Sequence, residues 1–157
     1  MKTLILYATK YGSTEKAAQL LASLLPAGAT MVDLNKAPAP DLGTFDTVVI
    51  GSAIYVGKIM EPVRKYLEEN ADVLRGKTLG LFTCCANIDQ ADEQLQANFP
   101  EPLRHAARAT GHFGYAIQMN KMSFIERTAI KVIMKTKESS EHILEANIKQ
   151  FAQALRS

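Results

Sequence analysis

Apolar positions along this chain change period again and again. Thr3-Leu4-Ile5-Leu6-Tyr7-Ala8 is a continuous apolar run, as in a strand covered on both faces. Ala17, Leu20, Leu21, Leu24 and Leu25 then recur at helical spacing over residues 14–25, and Pro26-Ala27-Gly28 ends that pattern. Residues 29–34 read as a second short strand, and the prolines of Asn35-Lys36-Ala37-Pro38-Ala39-Pro40 mark a loop. Thr47-Val48-Val49-Ile50-Gly51 predicts a third strand. Residues 60–70 predict a helix with Met60, Val63 and Leu67 on one face, supported by Glu61 and Lys65 four apart. Residues 78–85 form a fourth strand pattern. Residues 90–109 are helical in pattern, with a break at Pro100-Glu101-Pro102. Residues 113–118 predict a fifth strand, and two helical patterns close the chain.

Strands alternating with helices over short connections mean right-handed βαβ units and a parallel sheet. The expected fold class is α/β. Five parallel strands form a doubly wound sheet of order 2-1-3-4-5, with helices on both faces and an extra helix before the last one. The 157 residues suit one domain, 1–157. In such a sheet a ligand sits outside the carboxyl ends of the strands, beside strand one. The loops to inspect are therefore 9–14, 52–58 and 84–90.

Composition narrows the function classes. Apolar residues make up 47% and charged residues 22%, which is ordinary for a globular domain. No apolar run approaches the roughly 20 residues of a membrane span. Met1 to Tyr7 is too short for a secretory leader and runs into a strand, so a cytoplasmic location is expected. The net charge of +2, with no basic run interleaved with aromatics, argues against nucleic acid as a partner. Cys84 and Cys85 are adjacent. A disulfide between strand neighbours is strained, and two cysteines alone make a poor metal site. Both read as small buried apolar residues.

The loop after strand one carries the chemistry. Thr9-Lys10-Tyr11-Gly12-Ser13-Thr14 joins a buried strand to a helix and holds three hydroxyls, a glycine and a lysine. A helix start presents orphan N–H groups and a partial positive charge, which suit a phosphate. No capping box is present, since Lys16 and Ala17 follow Ser13 and Thr14 at the third position. A plain Ser or Thr N-cap remains the alternative for the loop alone. The segment is neither a Walker A sequence nor a GxGxxG dinucleotide fingerprint. Strand one has no acidic pair and strand three ends in Gly51-Ser52, which excludes a phospho-receiver with its carboxylate cluster.

Leu4-Ile5-Leu6-Tyr7-Ala8-Thr9-Lys10-Tyr11-Gly12-Ser13-Thr14-Glu15 resembles the phosphate-loop signature of the flavodoxins, T-x-x-G-x-T/S-E. Val48 to Gly57 resembles their second flavin loop. Phe124-Ile125-Glu126-Arg127-Thr128-Ala129-Ile130-Lys131-Val132-Ile133-Met134-Lys135 resembles a segment of the menaquinone-dependent protoporphyrinogen dehydrogenases, a flavodoxin-like branch of haem biosynthesis. The resemblance implies flavin mononucleotide (FMN) as cofactor. Its phosphate would lie on Thr9, Lys10, Tyr11, Gly12, Ser13 and Thr14. Ser52, Ala53, Ile54, Tyr55, Val56 and Gly57 would flank its ring on one side, with Cys84, Cys85, Ala86, Asn87 and Asp89 on the other. Tyr55 is the aromatic expected to stack on the ring. The third loop lacks the tyrosine of many flavodoxins, which implies a more open ring face. Gly57, tolerant of positive φ, is where a peptide could turn toward the ring.

Ser123-Phe124-Ile125-Glu126 is a capping box. The helix expected over 124–136 has a broad apolar arc and a stripe of Arg127, Lys131 and Lys135. Such a helix packs on its own domain, meets a membrane surface, or meets a protein or quinone. The intact phosphate loop argues against an interaction module that has lost the flavin, and two redox functions remain. One is a dehydrogenase passing hydrogen from a porphyrinogen-like substrate to a quinone. The other is an electron carrier between protein partners. Carriers are usually strongly acidic because encounter is steered by charge, so +2 favours the enzyme. His105 and His112, with Arg104 and Arg108, read as a solvated helix face or a place for a propionate-bearing substrate. His142 is expected on the exposed side of the last helix.

Overall fold

The computed structural model describes residues 2–10, 12–85, 87–117 and 140–157. Strand β1 (Thr3–Ala8) is buried along its whole length, as its unbroken apolar run requires. Helix α1 (Ser13–Ser23) follows, then β2 (Thr30–Asp33). Strand β3 (Thr47–Tyr55) runs four residues past its expected end and turns into a short antiparallel strand, β4 (Lys58–Ile59). Helix α2 (Glu61–Arg75) begins with Pro62 in its first turn, where a missing N–H costs nothing. Strand β5 (Thr78–Cys84) follows. The expected helix over 90–109 is two helices, α3 (Ala91–Asn98) and α4 (Glu101–Ala106), because the prolines break it.

The parallel strands stand in the order β2-β1-β3-β5-β6, with β6 at Ala109–His112. This is the 2-1-3-4-5 order expected for the first to fifth parallel strands. Its fifth member, however, is not residues 113–118. Phe113 closes the strand by donating its N–H to the Thr83 carbonyl, and Gly114 then takes φ 83 and redirects the chain. A Cβ at Gly114 would stand 2.0 Å from the His142 carbonyl oxygen, so only glycine fits this approach. Strand β7 (Gly114–Ile117) leaves the main sheet and pairs antiparallel with β8 (Ser140–Ile143). His142 is therefore a strand residue whose ring stacks on Tyr115 at 5.9 Å, not part of the last helix, α5 (Glu145–Arg156). The helix expected over 124–136 lies outside the described residues.

Two cores flank the sheet. Leu4, Leu6, Val48, Ile50, Leu79 and Leu81 face α2, α3 and α4. Ile5, Val49, Phe82 and Phe113 face α1 and α5. Odd and even positions of one strand feed opposite cores, which explains the continuous apolar runs. On the α5 side Phe82 stacks on Phe113 with centroids 4.4 Å apart, and both meet Phe151 edge-on.

Candidate functional site

Parallel register brings the three loops together. Ala8 stands opposite Ser52, and Ala53 opposite Cys84. The carboxyl ends of β1, β3 and β5 thus open side by side at one rim of the sheet.

The first loop begins at Thr9, whose Oγ1 accepts the Gly12 N–H at 2.9 Å and closes the turn. Gly12 stands before α1 with φ 93, and no side chain caps the helix. Thr14 is fully buried, and its Oγ1 has no hydrogen-bond partner of full geometry among the described residues. Buried hydroxyls normally find one. An uncapped helix start beside such a hydroxyl leaves donors that an acceptor from a ligand could satisfy. Ser13 is half-buried at the first helical position. Tyr11 lies outside the described residues.

Asn35 buttresses this loop by donating its side-chain N–H to the Thr9 carbonyl at 3.0 Å. The contact spans 26 positions and exists only because β2 lies next to β1. No local pattern signals it. Behind the loop, the Tyr7 hydroxyl reaches Glu15 at 3.4 Å. Burial, then the Glu15 and Asp33 charges, push that phenol up to about 12.

The second loop is a hairpin. Tyr55 pairs with Lys58, and the two residues between them, Val56 and Gly57, have φ 53 and 76. Positive φ at both positions is the type I′ pattern, which favours Asn-Gly. A β-branched residue in this conformation is strained. Val56 is also 84% exposed and Tyr55 46%, so the hairpin presents an aromatic face and an apolar tip to solvent. The Lys10 ammonium stands 4.4 Å from the Tyr55 ring centroid, within cation–π range, and so links the first two loops. Ser52 is fully buried. Its Oγ accepts the Met60 N–H at 2.8 Å and donates to the Ala53 carbonyl at 2.9 Å. This hydroxyl ties the hairpin to β3. Ala53 is buried and Ile54 half-buried.

In the third loop Cys84 and Cys85 are free and buried, as expected. Burial pushes the Cys84 thiol up to about 12. The nearby Thr14 hydroxyl tempers the rise without making a hydrogen bond of full geometry. Burial also raises Cys85, whose thiol donates to the Asn87 carbonyl at 3.4 Å. Asn87 and Asp89 are exposed, and Ala86 lies outside the described residues.

The expected basic group does not form one surface. His105 is an exposed α4 residue 3.7 Å from Glu101. Arg104 donates to the Phe99 carbonyl, and Arg108 to that of Ser157. His112 is in β6, not on a helix, with Nδ1 buried and without a hydrogen-bond partner among the described residues. A separate groove of about 790 Å³ runs between the Pro38–Pro40 loop and α2, past Tyr66. No orphaned buried polar atom among the described residues lines it, so the rim of β1, β3 and β5 is the stronger site.

A family model described as Flavodoxin domain matches residues 4–143. The chain belongs to the flavodoxin domain family. Solved structures share the fold of this flavodoxin domain. A flavodoxin from the domain Archaea is 14% identical, with 100% of each chain covered and a TM-score of 0.61. Flavodoxin 1 from Bacillus cereus is 13% identical, with 99% of this chain and 97% of that one covered, at 0.60. Rubredoxin oxygen:oxidoreductase from Desulfovibrio gigas is 17% identical at 0.60 over 99% of this chain. The flavodoxin domain spans only 36% of that larger protein. No curated protein matches the chain. Membership in the family points to a flavin cofactor and electron transfer. The uncapped helix, the orphaned Thr14 hydroxyl and the exposed Tyr55 face fit a phosphate-bearing aromatic group.

Proposed function

We propose that this flavodoxin domain binds FMN and works as an oxidoreductase, passing hydrogen from a porphyrinogen-like substrate to a quinone. The observation that carries the cofactor is the buried Thr14 hydroxyl, without a hydrogen-bond partner among the described residues at an uncapped helix start. Thr9, Lys10, Gly12, Ser13 and Thr14, with Tyr11, would hold the phosphate. Residues 52–57 and Cys84, Cys85, Ala86, Asn87 and Asp89 would flank the ring. The flavin supplies the redox chemistry, and the chain supplies binding, orientation and electrostatics. Tyr55 offers an aromatic stacking face, and the 56–57 turn offers backbone polar groups. No aromatic side chain occurs within residues 84–90, which leaves room for a flat substrate against the ring. The resemblance of residues 45–70 and 120–136 to the protoporphyrinogen dehydrogenases and the charge of +2 support the substrate assignment.

The second reading, an electron carrier serving a redox partner protein, is favoured by the full-length match to free-standing flavodoxins. An anaerobic assay of the FMN-loaded protein with a porphyrinogen and a menaquinone analogue separates the two. Quinone reduction that depends on the porphyrinogen is expected. Reduction of a one-electron protein acceptor without any quinone reduction would select the carrier. Peripheral membrane contact through 124–136 belongs to the enzyme reading. Failure to float with anionic liposomes would remove it.

A further inference from the structure

Asn98 is the last residue of α3, a helix that ends there because Pro100 follows. Its side-chain amide spans two elements. Nδ2 donates to the Gly57 carbonyl at 3.0 Å and to the Gln94 carbonyl at 2.8 Å. Oδ1 accepts the Ile59 N–H at 3.1 Å. The orientation of the amide is forced, since two carbonyls and one N–H surround it.

The geometry of the hairpin explains why such a clasp is needed. With a two-residue turn, Tyr55 and Lys58 exchange both of their hydrogen bonds. The Ile59 N–H therefore points away from β3, and the Gly57 carbonyl closes no rung of the ladder. The first is an edge group of a strand only two residues long, and the second belongs to the turn before it. Asn98 stands in for the missing neighbouring strand and satisfies both with one amide. The turn it holds contains Val56 at φ 53, a conformation that valine does not favour by itself.

We propose that Asn98 is a positioning residue for the flavin. By holding the Gly57 carbonyl and the Ile59 N–H, it sets how the Val56-Gly57 turn faces the ring. It thereby sets the balance of affinity between oxidised and reduced flavin. The proposal rests on the FMN reading above. Reduction adds protons to a flavin ring, so the polar groups at its edge favour one oxidation state over the other. A turn released from Asn98 presents those groups differently.

The test uses Asn98→Asp and Asn98→Ala in the full chain. Asp keeps the acceptor for Ile59 and loses the donor to Gly57, while Ala loses both. Dissociation constants for oxidised and reduced FMN are measured for each protein, together with hydrogen exchange at the Ile59 amide. Expected is a change of roughly fivefold or more in the ratio of the two constants in both variants, about what one hydrogen bond contributes. Exchange at Ile59 accelerates in Asn98→Ala and not in Asn98→Asp. Variants that bind FMN with an unchanged ratio would make Asn98 purely structural and overturn the proposal. An unchanged Ile59 exchange rate in Asn98→Ala also overturns it, whether or not flavin is present. Parent protein that fails to bind FMN overturns the functional reading itself, which is a separate outcome.

Discussion

Thr14→Val should strengthen the flavin-free protein and weaken the flavin complex. The Thr14 side chain is fully buried, and among the described residues its hydroxyl makes no hydrogen bond of full geometry. Valine has nearly the same shape and a similar helix propensity, so packing against the sheet is retained. What is lost is a buried polar group left unmatched, a burden of about 1–3 kcal/mol. At the lower end of that range a chain of 157 residues gains about 2–4 °C in Tm. In the complex the sign reverses, because the hydroxyl would there meet a phosphate oxygen. A hydrogen bond to a charged group is worth about 1.5–3 kcal/mol, so the FMN dissociation constant rises roughly tenfold to a hundredfold. Thermal unfolding with and without saturating FMN, and titration by flavin fluorescence, read both effects. A flavin-free variant that is less stable than the parent would mean that the Cys84 thiol already satisfies the hydroxyl. Unchanged affinity would remove Thr14 from the phosphate cradle.

Three further substitutions test other links. Gly51→Ala puts a methyl 2.0 Å from the tip of the Phe82 ring, which Phe113 and Phe151 hold in place. A loss of about 2–3 kcal/mol in urea unfolding is expected, and a loss under 0.5 would show that the aromatic trio yields. Val56→Asn converts the strained turn to the Asn-Gly type and should raise stability by about 1 kcal/mol; a lower urea midpoint would mean that the positive φ carries no strain. The Cys84 thiol, ordinarily near 9.0, is pushed up to about 12 by burial. The folded state keeps a proton that the unfolded chain releases, so this contribution is full below pH 9 and is lost as pH climbs toward 12. Tyr7 and Tyr66, both raised to about 12, act with the same sign above pH 10. The urea midpoint should therefore fall above pH 9, and less steeply in Cys84→Ala; a flat profile would contradict the burial.

Strands β1, β3 and β5 were legible in the sequence because they are covered on both faces and therefore carry nearly continuous apolar runs. The loop after β1 stood out in the sequence because hydroxyls, glycine and lysine crowd into six adjacent positions. The fifth strand was misplaced for a definite reason. Phe113 to Ile117 is the more apolar stretch, but Gly114 turns the chain out of the sheet, and the less apolar Ala109–His112 takes the edge position. An edge strand has only one neighbour and needs less apolar surface. His142 was misplaced by the same turn, since β8 exists only as the partner of β7. Ser52, expected at the ring, has both sides of its hydroxyl engaged within the hairpin, a tie that no local pattern shows.

By itself the sequence determined the sheet order, the positions of the three loops and the crowding of hydroxyls, glycine and lysine in the first. These depend on period, burial and composition within short windows, which a chain displays residue by residue. Only the tertiary structure decided how the loops are held. Asn35 reaches Thr9 across 26 positions, and Asn98 reaches Gly57 across 41. Each is an ordinary loop or helix-end asparagine until the sheet closes and brings its partner within 3.0 Å. A hydrogen bond at that range is set by distance in space, and distance in space is what no local pattern encodes.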